Sequence, residues 1–379
     1  MNETTSYDVV IVGGGLAGLT LAISLAKTGH SIALIEKETY PFHKVCGEYI
    51  SMESWNYLER CGIPLKDLEL PIIKDLKISA PNGKLLQAKL PLGGFGISRF
   101  TLDEKLKDIA REKGIAVFEN LKVTAVDFMD DNFSIETSSK TFFAKMVCGS
   151  FGKRSNLDLK WKRPFVTETK NKLNQFIGIK YHIKHDGNAD EIALHNFENG
   201  YCGISKIEDE KYCLCYLTTA ENLKKSSNNI EKMETDILSV NPHLKEIFAN
   251  CTKIYDAPLV ISQISFDKKT QVDNHIIFIG DAAGLITPLC GNGMSMAMYG
   301  SFLAAPLIDQ FINGKITRSD LEQQYQTKWN QAFASRLRTG RIIQSFFGRS
   351  LTTNLLLSIL KNFPSLVRKI IQQTHGKPF

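Results

Sequence analysis

The sequence predicts an α/β protein in which a discontinuous, doubly wound domain is interrupted by a mostly antiparallel β-sheet domain of α+β type and followed by a C-terminal helical region. Three observations predict this fold. Residues 7–36 have the pattern of strand, glycine-rich turn, helix and strand in immediate succession. Residues 155–266 alternate as short strands, after which the chain returns to a buried strand at 275–279. Residues 291–379 are almost wholly helical in pattern.

The glycine-rich turn matches the G-x-G-x-x-G fingerprint of a Rossmann-like, dinucleotide-binding unit. Gly13 allows the tight turn, Gly15 lets the backbone approach a pyrophosphate, and Gly18 lets the helix pack closely on the strand. The free N–H groups at the start of the helix favour bound phosphate. Glu36 ends the second strand, eighteen residues after Gly18. Its carboxylate can accept hydrogen bonds from ribose hydroxyls and disfavours the 2′-phosphate of NADP.

The predicted elements divide the chain into three parts. These are the dinucleotide-binding domain (1–71, 97–155 and 268–315), a substrate-binding sheet domain (72–96 and 156–267) and the C-terminal helices (316–379). We expect the active site in the cleft between the first two parts.

Shorter signals predict the elements between these landmarks. Residues 76–80 and 85–90 should pair as a hairpin around Pro81-Asn-Gly83, and Gly93-Gly94 should break the second strand. Apolar spacing predicts a helix over 102–110. Further helices are expected at 52–61, 229–238 and 243–249, and further strands at 115–118, 121–128, 133–137, 141–148, 176–183, 191–196, 201–207, 212–218 and 257–264.

Composition excludes several classes of protein. The chain has 379 residues, 43% hydrophobic and 23% charged, which suits a globular protein of two or three domains. No apolar run approaches the ~20 residues that span a bilayer, and the N-terminal residues lead directly into the first strand, which predicts no signal peptide. The eight cysteines show no C-x-x-C or paired spacing. We therefore expect reduced thiols in a cytoplasmic protein, with no metal site.

Positive charge is concentrated near the C-terminus. Residues 301–379 contain eleven Lys or Arg against three acids, although the whole chain carries only +6. Two interpretations fit this pattern. The favoured one is a set of helices packed across the substrate domain with a solvated basic face. The other is a basic amphipathic surface that touches the inner face of a membrane peripherally. No pattern in the sequence predicts nucleic-acid binding.

Four separated motifs together resemble one group of flavoproteins. They are the 13–36 unit, Lys44-Val-Cys-Gly-Glu48, Arg99 ahead of its helix, and Gly280-Asp-Ala-Ala-Gly284 with Pro288 and Gly291-Asn-Gly-Met294. In combination they resemble the FAD-dependent group that includes para-hydroxybenzoate hydroxylase, flavin halogenases and geranylgeranyl reductases, and most closely its geranylgeranyl reductase-like branch. The resemblance covers about 1–50, 97–155 and 270–345.

This resemblance implies FAD as the cofactor of the first domain. Asp281, at a strand end, would accept from a ribityl hydroxyl, and the helix begun at Gly291 and Gly293 would face the flavin pyrimidine. Arg99 would reach FAD from the start of its helix, and the backbone of Val123 would contact the adenine. The residues expected to bind FAD are Gly13, Gly15, Leu16, Ala17, Gly18, Glu36, Lys37, Cys46, Gly47, Arg99, Val123, Gly280, Asp281, Gly291, Asn292, Gly293 and Met294.

Two departures from the family pattern limit what carries over. The hydroxylases have an Asp in a G-A-D-G-x-x-S loop, where this chain has Phe151. That change argues against docking of NADPH in the hydroxylase manner. The W-x-W-x-I-P motif of halogenases is also missing, because Trp55, Trp161 and Trp329 are isolated.

We therefore expect an FAD-dependent oxidoreductase that reduces a carbon–carbon double bond of an apolar small molecule, lipid or carrier-bound substrate by flavin hydride. Cys46 is a candidate proton donor, although a lone cysteine also packs well as a small hydrophobe. Glu48 and His43 are further candidates for proton delivery. The alternatives are a monooxygenase that hydroxylates an aromatic or polyene, and a non-catalytic flavin-binding electron carrier. With one dinucleotide fingerprint, NAD(P)H would bind transiently, or an external reductase would supply electrons.

Overall fold

The computed structural model describes residues 5–167, 176–287 and 291–379 of the chain. The strands in these residues are β1 (Thr5–Val12), β2 (Ile32–Ile35), β3 (Tyr49–Ser51), β4 (Ile72–Ser79), β5 (Leu85–Gly96), β6 (Ala116–Phe118), β7 (Val123–Met129), β8 (Asn132–Thr137), β9 (Thr141–Gly149), β10 (Phe176–Lys184), β11 (Glu191–Phe197), β12 (Gly200–Lys206), β13 (Tyr212–Thr219), β14 (Thr252–Lys253), β15 (Leu259–Ile264), β16 (Val272–Asp273) and β17 (Ile276–Phe278). The α-helices are α1 (Leu16–Leu25), α2 (Trp55–Cys61), α3 (Arg99–Glu112), α4 (Asn156–Lys160), α5 (Pro164–Thr167), α6 (Ala220–Lys225), α7 (Ile230–Asp236), α8 (Pro242–Asn250), α9 (Gly293–Ile312), α10 (Arg318–Phe346), α11 (Ser350–Leu360) and α12 (Pro364–Thr374).

The first sheet has the strand order β16-β17-β9-β1-β2-β6, and β7 and β8 form an antiparallel extension on β9. Its central pairs, β17–β9, β9–β1, β1–β2 and β2–β6, are all parallel. All four residues of β2 are buried, as expected for a parallel strand that helices cover on both faces. Helices α1 and α9 pack against each other beside this sheet. The predicted Rossmann-like order of strand, turn, helix and strand is confirmed.

The second sheet has the order β14-β10-β13-β12-β11-β4-β5-β3, with β15 paired to β10. Its pairs are antiparallel except β11–β4. One face of this sheet packs against α7 and α8 through Met233 and Leu244. The opposite face packs against the C-terminal helices through Leu357, Val367 and Ile371. The C-terminal helices are therefore part of the wall of this domain, as the favoured interpretation expected.

The break expected at Gly93-Gly94 is wrong, because β5 runs through both glycines. Gly93 adopts a left-handed φ of +73°, and the pairing of β4 with β5 shifts register near it. A Cβ on Gly94 would lie 2.3 Å from the ring of Tyr49. These glycines therefore allow β3 to join the edge of the sheet, a role that a turn signal in the sequence does not distinguish from a strand end. Helices α4, α5 and α6 were also not predicted.

Helix α3 begins at Arg99, where the side chain of Ser98 accepts a hydrogen bond from the Thr101 backbone N–H. An N-terminal serine cap of this kind fixes where a helix starts. The cap therefore sets the position of the Arg99 side chain in the first turn. Within the described parts of the chain, no helix combines the length and apolarity needed to cross a bilayer.

Candidate functional site

The glycine-rich turn leaves room for a ligand at one of its glycines. A Cβ on Gly13 would lie 2.7 Å from the backbone of Phe151, and one on Gly18 would lie 2.1 Å from the carbonyl oxygen of Gly13. A Cβ on Gly15 would meet only the ends of two cationic side chains, Arg99 Nη2 at 3.5 Å and Lys44 Nζ at 3.8 Å. Gly13 and Gly18 therefore serve packing, whereas Gly15 borders open space at the start of α1.

Two cations share one carboxylate beside Gly15. Arg99 contacts Asp103 through two nitrogens, at 2.9 and 2.7 Å, and Lys44 Nζ lies 2.9 Å from the same carboxylate. Burial alone would raise the pKa of Asp103, but Arg99 and Lys44 hold it below its ordinary value. A net positive charge therefore remains at the helix N-terminus. This arrangement suits a pyrophosphate and fits the FAD that the motifs imply.

A cleft with an empty volume of about 1310 Å³ runs from this turn to the second sheet. The residues expected to bind FAD that line it are Gly15, Leu16, Ala17, Cys46, Gly47, Arg99, Gly280, Asp281, Gly291, Asn292, Gly293 and Met294. The candidate catalytic residues Cys46 and Glu48 line it as well. The structure thus brings together residues that lie nearly 280 positions apart in the sequence. Pro288, which belongs to the fourth motif, lies outside the described residues.

Five of the predicted FAD-binding residues do not line the cleft: Gly13, Gly18, Glu36, Lys37 and Val123. The Glu36 carboxylate accepts from the backbone N–H groups of Gly14 and Glu38, at 2.7 and 3.1 Å. Lys37 is exposed and pairs with Glu38 at 3.2 Å. Val123 is buried in β7. Its neighbour Leu121 donates through its backbone to the Glu36 carbonyl, which puts this strand beside Glu36 at the far end of the turn.

The 44–48 loop is held by the buried side chain of Glu48, which has a left-handed φ of +56°. Glu48 Oε1 accepts from the backbone N–H of Arg99 at 2.8 Å and from the ammonium group of Lys180. Its Oε2 lies 2.6 Å from Nε2 of His182. Burial alone would raise the pKa of Glu48, but the hydrogen bond with His182 and the charge of Lys180 lower it. The carboxylate is therefore ionised and ties the loop to strand β10.

Cys46 is half-buried at the same cleft. Its carbonyl oxygen accepts a hydrogen bond from the thiol of Cys213 at 3.2 Å, so its backbone is anchored to β13. Cys215, two residues further along that strand, also lines the cleft. Cys46 therefore lies on a fixed loop at the wall of the cleft.

Glu48, His182 and Cys213 present ligand atoms within 4.8 Å of one another. The Lys180 ammonium already pairs with Glu48, and its charge opposes a bound cation. Burial raises the pKa of Cys213 well above its usual value, so its thiol is protonated and a poor ligand. The cluster is better described as an ion-pair network than as a metal site.

The loop after β17 forms another wall of the cleft. Gly280 has a φ of +65° and packs against α1, where a Cβ would lie 3.0 Å from Ala17 Cβ. The buried Lys269 ammonium donates to the backbone carbonyl of Asp281 at 2.8 Å and to the backbone carbonyl of Lys153 at 2.6 Å. Burial lowers the pKa of Lys269 to about 8.

Helix α9 begins beside this loop, with Asn292 at its N-cap. The Asn292 side chain donates to the carbonyl of Thr374, on α12, at 2.9 Å. Its buried Oδ1 finds no hydrogen-bond partner in the described part of the chain. A buried amide oxygen at the wall of a cleft is an available acceptor for a bound group. The start of α9 therefore fits the flavin end of the cofactor.

The 149–155 loop presents no carboxylate to the cleft. Its Phe151 ring instead packs against Trp161 and Phe278, with ring centroids 6.1 and 5.9 Å apart. Ser150 and Lys153 line the cleft from this loop. None of the three tryptophans, all of which lie in the described residues, lines the cleft.

The part of the cleft that lies against the second sheet is apolar. It is lined by Ile192, Leu194, Tyr201, Leu217, Ile264 and Leu285. A chamber of this kind, next to the residues that fit FAD, suits an apolar substrate.

Three residues of the site were not predicted from the sequence, namely Lys153, Lys180 and His182, and Lys44 was named only as part of the second motif, without a role of its own. Lys180 and His182 alternate along β10 with Ile177, Ile179 and Tyr181, which face the opposite side of the sheet. Alternation of this kind commonly marks a strand with one solvated face, so it predicted nothing about a site. The sequence signal that could have found them is two basic residues at alternate positions of one strand, which can pair with the acid of the Lys44–Glu48 motif.

Comparison with known proteins agrees with this geometry. A family model described as an FAD binding domain matches residues 8–43. Conditioned medium factor receptor 1 of Dictyostelium discoideum is 25% identical over 94% of this chain and 72% of its own length. Digeranylgeranylglycerophospholipid reductase of Methanococcus vannielii is 26% identical over 86% of this chain and 83% of its own length. The structure of the flavin-dependent brominase Bmp2 has a TM-score of 0.79 at 19% identity, covering 98% of this chain and 93% of that one.

The chain is an FAD-dependent oxidoreductase. Its relatives include geranylgeranyl-type reductases, which confirms the resemblance drawn from the four motifs. The similarity to the brominase is one of fold, since the two sequences share only 19% of their residues.

Proposed function

We propose that the protein reduces a carbon–carbon double bond in an apolar or carrier-bound substrate. The observation that carries this proposal is the cleft itself, which joins the positively charged turn at Gly15 to an apolar chamber on the second sheet. FAD, when bound, supplies the hydride that such a reduction requires. An electron carrier without its own substrate would have no use for the apolar chamber.

The second requirement of the reaction is a proton for the other carbon of the double bond. Cys46 lines the same cleft as the FAD-binding residues and the apolar chamber, and its loop is fixed by Glu48. A thiol in that position donates its proton to the substrate carbon, and solvent returns a proton to the thiolate. Glu48 is a positioning residue, since its oxygens contact Arg99, Lys180 and His182.

The proposed reductase is distinguished from a monooxygenase by one experiment. The FAD-loaded protein is reduced with dithionite under argon and mixed with polyprenyl substrates, and the products are weighed by mass spectrometry. A gain of two hydrogens per double bond supports the proposal. If product forms only after oxygen is admitted and carries an added oxygen atom, the protein is a monooxygenase and the proposal is wrong. Parallel assays with NADH, NADPH and an added flavin reductase identify the electron donor.

We also propose that the outer face of the C-terminal helices touches a lipid surface. Leu355, Ile359, Phe363 and Leu366 are exposed on this face, at 64, 46, 54 and 44% of their full surface. The same segment carries exposed Lys361, Arg368 and Lys369. Exposed apolar side chains flanked by basic ones are typical of a surface that rests on anionic lipid.

A further inference from the structure

The loop that carries Cys46 crosses three neighbouring strands of the second sheet, β10, β13 and β12. At one end of the crossing, a Cβ on Gly178 in β10 would lie 3.1 Å from the side chain of Val45. At the other end, the hydroxyl of Ser205 in β12 donates to the carbonyl of Gly47 at 3.4 Å. Because β13 lies between β10 and β12 in the sheet, Cys46 in the middle of the loop lies over β13.

The strand register shows which part of β13 lies beneath the loop. The two contact points on β10 and β12 are paired with Leu217 and Cys213 of β13. The residue midway between these two, on the same face of the strand, is Cys215. Cys215 lines the cleft, as Cys46 does. The hydrogen bond from the Cys213 thiol to the Cys46 carbonyl, at 3.2 Å, holds the loop directly against this part of the strand.

The two cysteines of the cleft differ in reactivity. Burial, and next the negative charge of a Cys46 thiolate, raise the pKa of Cys215 to about 12. A thiol with a raised pKa is a poor nucleophile, so Cys215 does not react first with an oxidant. It can still react with an oxidised Cys46, because a neighbouring group on the same chain acts at a high effective concentration.

An oxidant is formed in the same cleft. Reduced FAD that meets oxygen without a substrate passes two electrons to it, and the product is hydrogen peroxide. Cys46 and Cys215 line the cleft that the FAD-binding residues line, and both are partly exposed. Peroxide released from the cofactor therefore meets these thiols before it reaches the solvent.

We propose that Cys46 and Cys215 are a redox-active thiol pair that hydrogen peroxide converts into a disulfide bond. In the first step the Cys46 sulfur attacks one peroxide oxygen, the O–O bond breaks, and Cys46 sulfenic acid and water are formed. In the second step the Cys215 sulfur displaces the sulfenic hydroxyl, which leaves as water with the Cys215 proton. The two sulfurs thus lose two electrons, and one peroxide becomes two waters. An external dithiol restores both thiols by exchange.

The disulfide bond has a consequence for the reaction in the cleft. It removes the thiol proton that Cys46 supplies in the proposed reductase, so peroxide stops the reaction that would otherwise consume reduced FAD. This consequence rests on the proposed function, whereas formation of the bond does not.

Thiol counting on the FAD-loaded, full-length protein tests the pair. The protein is reduced with a phosphine, freed of the reductant, exposed to hydrogen peroxide and denatured in N-ethylmaleimide before its mass is measured. Wild type should lose two labelled thiols together, and peptide mapping should find residues 46 and 215 of one chain cross-linked. Dithiothreitol should restore both thiols. Loss of neither thiol, or irreversible oxidation of Cys46 without a bridge, overturns the proposal.

Two serine variants, each checked for folding by its flavin absorbance, separate this pair from the other cysteines. Cys215→Ser should form no bridge, and dimedone should trap its Cys46 as the sulfenic acid. Cys251→Ser is the matched control, because Cys251 is partly exposed and packs with the helices on the opposite face of the sheet. It should bridge as wild type does. A bridge from Cys46 to Cys213, or to Cys290 outside the described residues, overturns the assignment, and the wild-type peptide map detects it without any variant.

The outcomes separate this inference from the proposed function. A reversible bridge between residues 46 and 215, in a protein that reduces no double bond, would refute the reductase alone. Reduction of a double bond by a protein in which these residues never bridge would refute the thiol pair alone. If both hold, peroxide should lower the rate of reduction about 10²-fold or more, and dithiothreitol should restore it.

Discussion

Glu48 Oε2 and His182 Nε2 lie 2.6 Å apart, although 134 residues separate them in the chain. The contact joins the loop that carries Cys46 to strand β10 of the second sheet. It is buried, with the two side chains 0 and 3% exposed. A buried contact with an ionised carboxylate, and not apolar packing, therefore holds this wall of the cleft in place.

Removal of the Glu48 charge should destabilise the protein. Glu48→Gln leaves the Lys180 ammonium, 1% exposed, without its carboxylate. Loss of one partner from a buried ion pair costs about 3–5 kcal/mol. We expect a free energy of unfolding lower by that amount in urea titrations at fixed FAD concentration. Glu210→Gln, which breaks an exposed pair with Lys206, is the control and should change stability by less than about 1 kcal/mol. Similar effects of the two substitutions would contradict the role given to Glu48.

Lys269 should make stability depend on pH in the alkaline range. Its pKa is about 8 in the folded protein, against an ordinary value of 10.5. Between these values the unfolded chain binds more protons at Lys269 than the folded one does, so stability rises with pH. The wild type should therefore gain free energy of unfolding relative to Lys269→Met as the pH is raised from 8 to about 10. A constant difference between the two proteins, measured by urea unfolding at each pH, would show that Lys269 does not have this depressed pKa.

The glycines of the first turn should separate cofactor binding from folding. Gly15→Ala adds a methyl group where only Arg99 and Lys44 approach, so the chain should fold normally and lose bound FAD. Gly18→Ala forces its Cβ to 2.1 Å from the Gly13 carbonyl and should impair folding itself. Flavin content from visible absorbance and the melting temperature of FAD-free protein measure the two effects. Full flavin occupancy in Gly15→Ala would show that the pyrophosphate does not bind beside Gly15.

Cys46 should affect the rate of reduction without affecting cofactor content. General acid catalysis typically contributes about 10²–10⁴-fold, and Cys46→Ala should lose a factor of that order. Cys215 lines the same cleft, so Cys215→Ala is the control for a change in the shape of the cleft, and its rate should be close to wild type. Flavin occupancy should be equal in all three proteins. Equal rates for the two variants would exclude the Cys46 thiol as the acid.

The exposed face of α11 and α12 should bind anionic vesicles. Leu355→Glu/Phe363→Glu replaces two apolar side chains that are 64 and 54% exposed, and it should weaken co-sedimentation with phosphatidylserine-containing liposomes. Wild-type binding should also fall with added salt, because the basic side chains act at the surface. Met129→Glu, 74% exposed on the other domain, is the control. Equal sedimentation of all three proteins would rule out this lipid contact.

The sequence predicted the βαβ unit and most strands correctly because local spacing determines them. Gly13, Gly15 and Gly18 act within one turn, so their spacing alone specifies the geometry. Gly93 and Gly94 were misassigned because their role depends on Tyr49, a residue of another strand. The same reason explains why Lys180 and His182 were missed. Their importance arises from Glu48, which reaches them only after the 44–48 loop has folded against β10.

The hydrogen bond from Asn292 to the carbonyl of Thr374 joins the N-cap of α9 to the last residue of α12. Helix α12 also carries exposed Leu366, Arg368 and Lys369, in the segment proposed to meet lipid. If that segment rests on lipid as proposed, its attachment should act on the N-terminus of α9 through the Asn292–Thr374 hydrogen bond, and occupancy of the cofactor site should act on attachment by the same route. Such coupling is reciprocal. The proposed lipid contact would then place the affinity for a lipid surface and the affinity for the cofactor in one linked equilibrium.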